Sequence, residues 1–137
     1  MTELQKRVLA ELSAQSAKCD FIKEIYVFGS VARGEESPDD IDICFEYDET
    51  WAMHSAPLDT SFEEWEAALR DWAASLSLTL GLRVELHDLR DQSDADASIK
   101  HVLENRKCPL AIVGKAMLVY TPKVKKSPRS LDHAPRL

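Results

Sequence analysis

Two aspartates open an alternating stretch of sequence, and their spacing constrains the fold around them. In "DIDICFEY", residues 40–47, every second residue from Ile41 to Phe45 is apolar. Successive side chains of a β-strand point to opposite faces, so the stretch predicts a strand with one apolar face. Asp40 and Asp42 then project from the other face, separated by about 6.6 Å along the chain.

Like charges on one strand face cost stability unless a cation lies between them. Mg²⁺ prefers oxygen ligands and keeps waters and substrate phosphates in its coordination shell. We therefore interpret Asp40 and Asp42 as ligands of Mg²⁺. The alternative is a solvated turn that leads into an edge strand, where acidic residues discourage pairing with other chains.

A glycine-containing turn precedes the aspartates. Gly29 lets the backbone turn sharply and approach a ligand, and Ser30 begins a short helical turn whose N–H groups can face an anion. Arg33 can offer its guanidinium to phosphate oxygens, although it could instead form a surface ion pair with Glu35 or Glu36. A phosphate-binding turn beside a carboxylate metal site indicates phosphoryl or nucleotidyl transfer.

Helical and strand periods alternate along the chain. Thr2 and Gln5 form a capping-box pattern, Ser61 precedes an apolar helical stripe, and Gly81 fits the end of that helix. The stripe, interpreted as core, consists of Phe62, Trp65, Leu69, Trp72 and Leu76. The predicted elements are a helix over 3 to about 18, a strand over 21–28, a strand over 41–47, a helix from 61, a strand over 82–89, a helix capped by Ser93 and Asp94, and a strand over 116–120. This order predicts an α/β (α+β) class, with helices packed on a single mixed β-sheet.

The length of 137 residues predicts one domain, over residues 1–121. Residues 122–137 contain three prolines and several basic residues but little to bury, and we expect them to form a mobile tail. Such a chain is expected to be too short for a separate large acceptor domain.

Composition excludes several functional classes. Seventeen basic and twenty-four acidic residues give a formal net charge of −7, which opposes strong binding to free nucleic acid. Cys19, Cys44 and Cys108 are far apart, which predicts neither a disulfide framework nor a zinc knuckle. The sequence predicts no signal peptide and no membrane span, so a cytoplasmic protein is expected.

The Gly29-Ser30 turn followed by Asp40-Ile41-Asp42 resembles the signature of the DNA polymerase β-type nucleotidyltransferase superfamily. The segment "GSVARG" and the small size of the chain resemble the minimal nucleotidyltransferases of this superfamily in particular. The resemblance implies the polymerase β-type fold. It also implies that the paired aspartates and a third carboxylate hold two Mg²⁺ ions, and that the Gly-Ser turn binds the phosphates of ATP or another nucleoside triphosphate.

Glu85 in "RVELHDL" is the candidate third carboxylate, and Asp88 is the fallback. The alternative for Glu85 is the exposed face of a half-solvated sheet. Two positions depart from the family pattern, which usually has serine in place of Asp39 and aspartate in place of Glu85. His54, His87, His101 and His133 have no zinc-site spacing and are interpreted as structural. His87 is the exception, because a regular strand places it on the same face as Glu85.

The resemblance implies a Mg²⁺-dependent transfer of AMP from ATP to an acceptor hydroxyl. Minimal nucleotidyltransferases are often encoded beside a HEPN-type toxin and act as its antitoxins. The resemblance therefore implies a toxin-antitoxin system in which a hydroxyl on the partner protein is the acceptor. Two alternatives stay open: a non-catalytic antitoxin that neutralises its partner by contact, and a transferase for a small, aminoglycoside-like molecule. Both a homodimer and a hetero-oligomer are compatible with this interpretation.

Overall fold

The computed structural model describes residues 1–18, 22–47, 62–89 and 97–123. Helices and strands alternate as predicted up to the last two strands, which follow each other directly, and none of the described helices is long and apolar enough to cross a membrane. The helices are α1 (Glu3–Ser16), α2 (Gly29–Ala32), α3 (Phe62–Leu80) and α4 (Ala97–Asn105). The strands are β1 (Ile22–Phe28), β2 (Asp40–Tyr47), β3 (Arg83–Asp88), β4 (Ala111–Val113) and β5 (Ala116–Leu118).

The five strands form one sheet in the order β3-β2-β1-β5-β4. β1 is antiparallel to β2 and parallel to β5, while β2 is parallel to β3 and β4 is antiparallel to β5. The sheet is therefore mixed, and with helices packed on it the predicted fold class is confirmed.

The first helix begins at the predicted capping box. The Gln5 N–H donates to Thr2 Oγ1 at 3.0 Å, and the Thr2 N–H donates to Gln5 Oε1 at 2.9 Å. The helix ends at Ser16, slightly before the predicted end. The buried Gln5 amide also donates to the carbonyl oxygens of Val31 and Ala32 at 2.9 and 3.2 Å. The start of α1 is thereby tied to the end of α2.

Apolar side chains fill both sides of the sheet. On one side, α1 and α3 cover alternate residues of the central strands, namely Ile25, Val27, Ile41, Ile43 and Phe45. On the other side, α4 contributes Ile99 and Val102 to a smaller cluster with Tyr26, Phe28, Cys44 and Val119. The predicted apolar face of β2 is confirmed. Because strand side chains alternate, Asp40 and Asp42 lie on the side of the smaller cluster.

The sheet differs from the prediction at its C-terminal end. Strand β4 was missed; it has only three residues, and Ile112 and Val113 at its end are exposed. Strand β5 ends at Leu118 rather than at residue 120, although the Val119 N–H still donates to the Val27 carbonyl at 2.8 Å.

Several predictions concern α3 and the residues that follow it. Leu69 and Leu76 are buried and Trp72 is partly buried, as expected for the core stripe. Gly81 ends the helix with φ +74°, and its N–H donates to the Ser77 carbonyl at 2.9 Å. The predicted caps at Ser61, Ser93 and Asp94, the side chains of Phe62 and Trp65, and the tail from residue 124 onward lie outside the described residues.

Candidate functional site

The connection between β1 and β2 starts with Gly29 in the left-handed region. Its φ is +75°, which glycine adopts readily and other residues disfavour. Phe28 pairs with Asp42 across the two antiparallel strands, so Gly29 lies beside this aspartate. A Cβ atom on Gly29 would overlap a carboxylate oxygen of Asp42 and lie 3.2 Å from its Cγ. The turn therefore requires glycine both for its backbone and for the space that the carboxylate occupies.

Thr121, near the C-terminal end of the described residues, forms a hydrogen bond with this turn. Its hydroxyl Oγ1 accepts a hydrogen bond from the Gly29 N–H at 3.1 Å, and the residue is completely buried. Its carbonyl accepts a bond from Arg33 Nη1 at 3.3 Å. This role was not predicted from the sequence, where the signal is a hydroxyl residue directly after the apolar segment "AMLVY".

Ser30 and Arg33, the other predicted nucleotide ligands, lie in and just after α2. Ser30 is half-buried, and the first N–H groups of a helix have no intrahelical partner, so this turn can face an anion. The Arg33 guanidinium donates to Glu35 Oε2 at 2.9 Å from both Nε and Nη2. The structure thus contains the ion pair that the sequence left open for Arg33, and its phosphate contact stays a prediction.

The predicted metal ligands lie on one face of neighbouring parallel strands. In the register of β2 with β3, Asp42 is paired with Glu85, and Asp40 is paired with Arg83. The side chains of Asp40 and Asp42 are 21% and 19% exposed, and that of Glu85 is 36% exposed. Three carboxylates therefore share one partly buried surface next to Gly29.

Arg83 lies between two of these carboxylates. Its Nη2 is 2.6 Å from Glu85 Oε1 and 3.3 Å from Asp40 Oδ2. The arginine side chain is 70% exposed, and ion pairs at such positions contribute about 0–1 kcal/mol. A divalent cation can therefore displace Arg83 from these carboxylates at little cost.

The imidazole ring of His87 lies next to the carboxylates of this face. Its Nε2 lies 3.1 Å from Asp42 Oδ1 and 4.0 Å from Glu85 Oε2. The ring packs edge-on against Phe28, with centroids 5.0 Å apart and planes inclined by 63°. The position of His87 on the face of Glu85 agrees with the strand period, whereas its contact with Asp42 was not predicted.

The negative charge of the carboxylate face affects the pKa of Glu85. Loss of hydration on partial burial raises the pKa of this carboxyl, and the negative charges of Asp40 and Asp42 raise it further, while Arg83 acts in the opposite direction. A raised pKa means that the protein resists placing the full negative charge on this face. A bound cation would remove this resistance.

The donor atoms on this face fit a divalent cation. Asp42, Glu85 and His87 each offer one ligand atom, and these atoms lie within 4.8 Å of one another. Asp40 is outside this close group and accepts a hydrogen bond from Arg83 instead. Carboxylate oxygens are the ligands that Mg²⁺ prefers, so Asp42 and Glu85 suit the metal that the sequence predicts.

The remaining sequence candidates lie apart from this group or outside the described residues. Asp39 is exposed and precedes the first residue of β2. His101, on α4, has its Nδ1 4.0 Å from Glu104 Oε2. The side chain of Asp88 and the whole of His54 and His133 lie outside the described residues, so their predicted roles stay predictions.

The chain matches a known protein family. The model of the family described as "Polymerase beta, Nucleotidyltransferase" matches residues 11–110, which is more than half of the chain. The matched range includes the Gly29-Ser30 turn, both aspartates of β2 and Glu85. No curated protein and no solved structure matches the chain.

Proposed function

The chain belongs to the polymerase beta nucleotidyltransferase family, and on this premise we propose that it transfers AMP from ATP to an acceptor hydroxyl in a Mg²⁺-dependent reaction. The observation that supports the proposal is the position of Asp40, Asp42 and Glu85 on one sheet face, beside the glycine turn. Carboxylates for metal ions next to backbone N–H groups for phosphate are the groups that nucleotidyl transfer requires.

The three carboxylates are the proposed ligands of two Mg²⁺ ions. When bound, Mg²⁺ neutralises phosphate charge and makes the acceptor hydroxyl easier to deprotonate. Asp42 has the central position, because it lies beside both Gly29 and Glu85. Asp40 and Glu85 become available when Arg83 leaves them.

The turn at α2 is the proposed binding site for the β- and γ-phosphates. The Gly29 N–H already donates to Thr121, so the following backbone N–H groups and the Ser30 hydroxyl are the proposed donors. Among the residues that the structure describes, the Ser30 hydroxyl has no hydrogen-bond partner. Thr121 then acts by fixing the conformation of the turn.

Transfer makes one bond to phosphorus and breaks another. The acceptor oxygen bonds to the α-phosphorus while the bond from that phosphorus to the bridging oxygen breaks, and pyrophosphate leaves with the electron pair. The acceptor proton passes to Glu85. A general base has to lie within hydrogen-bond reach of the proton that it takes, and Glu85 lies beside Asp42 on the face where the acceptor would bind.

The proposed acceptor is a hydroxyl on a partner protein such as a HEPN-type toxin, with which the chain would form a hetero-oligomer. This part of the proposal is supported only by the resemblance to minimal nucleotidyltransferases. The non-catalytic antitoxin and the small-molecule transferase are distinguished from it by the acceptor that becomes labelled.

The test is transfer of label from α-³²P-ATP to a candidate partner or small acceptor in the presence of Mg²⁺. We expect Asp42→Asn to abolish labelling. Asp71→Asn, which removes an equal charge from an exposed position on α3, is the matched control and should label normally. If the wild type labels nothing with any nucleoside triphosphate, and Asp42→Asn neutralises the partner as well as the wild type does, the transferase proposal is wrong.

A further inference from the structure

The acidic face offers a nitrogen ligand as well as oxygen ligands. His87 Nε2 lies 3.1 Å from Asp42 Oδ1 and 4.0 Å from Glu85 Oε2. Nitrogen and oxygen ligands lie about 2.0–2.2 Å from a small divalent ion such as Zn²⁺, and oxygen ligands lie about 2.0–2.1 Å from Mg²⁺, so two ligands of one such ion are at most about 4.4 Å apart. Both distances from His87 lie within this limit. One ion can therefore contact His87 and either carboxylate without a large movement.

The imidazole is held in this position by its surroundings. Its side chain is 21% exposed, and the ring packs edge-on against the buried Phe28. Strand β3 fixes its position along the sheet, because His87 is paired with Cys44 two residues beyond the pair of Asp42 with Glu85 and therefore on the same face. Glu85 is more exposed and can adjust its rotamer to close the group around an ion.

We propose that His87 Nε2 is a direct ligand, together with Asp42 and Glu85, of one metal ion at this site, and that the site consequently prefers Mn²⁺ to Mg²⁺. Mg²⁺ selects oxygen ligands, whereas first-row transition metals accept imidazole nitrogen in addition to carboxylate oxygen. The inference rests on the proposed metal-dependent function, which it refines by naming a further ligand and the metal class.

A purely positioning role for His87 makes a different prediction. In that case the Nε2–H group donates to Asp42 and orients its carboxylate, as outer groups commonly do in metal sites. The nitrogen would then never contact the metal. Loss of His87 would weaken Mg²⁺ and Mn²⁺ binding alike, because both ions would depend on the same orientation of Asp42.

The test measures metal binding directly. Protein freed of metal with a chelator is titrated with Mn²⁺, and free Mn²⁺ is followed by its electron paramagnetic resonance signal; Mg²⁺ affinity is obtained by competition. Pulsed measurements on the bound Mn²⁺ detect coupling to the imidazole ¹⁴N. The variant is His87→Gln, whose amide oxygen remains an acceptable ligand for Mg²⁺. The matched control is His101→Gln, a partly exposed histidine near Glu104 on α4.

We expect imidazole nitrogen coupling in the wild type and in His101→Gln, and its loss in His87→Gln. Mn²⁺ affinity should fall about tenfold or more in His87→Gln, since even an outer-shell substitution costs 10–100-fold, while Mg²⁺ affinity stays nearly unchanged. Absence of nitrogen coupling in the wild type would overturn the inference without any variant. Equal losses of Mn²⁺ and Mg²⁺ affinity in a folded His87→Gln protein would also overturn it, in favour of the positioning role.

The two proposals fail separately. Nitrogen coupling without label transfer to any acceptor would support the metal ligand and argue against the transferase. Label transfer by a wild type that shows no nitrogen coupling would support the transferase and argue against His87 as a metal ligand. Thermal unfolding of each variant, with metal removed, identifies a variant that has lost its fold.

Discussion

Replacing Gly29 with alanine adds one methyl group where the turn meets Asp42. Gly29 has φ +75° and Gly81 has φ +74°, so alanine at either position incurs nearly the same backbone strain. A Cβ atom at Gly81 has nothing within 4 Å, whereas one at Gly29 overlaps the Asp42 carboxylate. Comparing the two variants therefore separates the contact with Asp42 from the cost of the backbone conformation.

The expected magnitudes follow from these two contributions. Left-handed backbone costs a non-glycine residue about 1–2 kcal/mol, which is the expected loss of unfolding free energy for Gly81→Ala. Gly29→Ala bears the same strain and in addition forces a carboxylate aside in a packed region, for about 1–3 kcal/mol more. Displacement of Asp42 by about 1 Å should lower nucleotidyl transfer on the order of a hundredfold.

Urea denaturation in a metal chelator measures the free energy of unfolding, and labelling from α-³²P-ATP measures transfer. We expect Gly29→Ala to be less stable than Gly81→Ala and to have lost most of its activity, while Gly81→Ala retains wild-type labelling. Equal destabilisation of the two variants, or full labelling by Gly29→Ala, would refute the argument that the Asp42 carboxylate determines the residue at this position.

Three further perturbations test other contacts of the site. Thr121→Val leaves the buried Gly29 N–H without its acceptor, so we expect a loss of about 1–3 kcal/mol in urea denaturation; an unchanged midpoint would contradict the role of that hydrogen bond. Arg83→Gln removes the cation that lies on Asp40 and Glu85, so Mn²⁺ affinity should rise in the spectroscopic titration, and weaker binding would show that Arg83 does not compete with metal. Glu85→Gln should change the pH dependence of stability in the metal-free protein. The raised pKa of Glu85 means that the folded state binds the carboxyl proton more tightly than the unfolded state does. The stabilisation from this proton is therefore complete below the usual pKa of 4.5 and is lost as the pH rises through the raised pKa. The stability of the variant relative to the wild type should therefore increase with pH across the acidic range, and a constant difference would contradict the sign of the shift.

Local periodicity was enough to predict that Asp40 and Asp42 share one face of β2, whereas Glu85 was predicted as the third carboxylate from the family resemblance. Periodicity could not predict the contact of His87 with Asp42, because that contact depends on the register between β2 and β3, which neither strand encodes alone. Strand β4 was missed because three residues are too few to display a two-residue period. The ion pair of Arg33 with Glu35 is local, and the sequence had named it as an alternative.

The role of Thr121 cannot be inferred from local sequence, because its partner Gly29 is 92 residues earlier. The parallel pairing of the central strand β1 with β5 cannot be inferred locally either, because the two strands are far apart in the sequence.

The hydrogen bond between Thr121 and Gly29 has a consequence for how the protein is made. A chain is synthesised from its N-terminus at about 5–20 residues per second, so the glycine turn exists for several seconds before its hydroxyl partner has been added. Both aspartates of β2 and then Glu85 are added within that interval, while the turn beside them still lacks its acceptor. We therefore expect the site to be completed only late in synthesis, and an N-terminal fragment that stops before Thr121 to leave the turn unfixed.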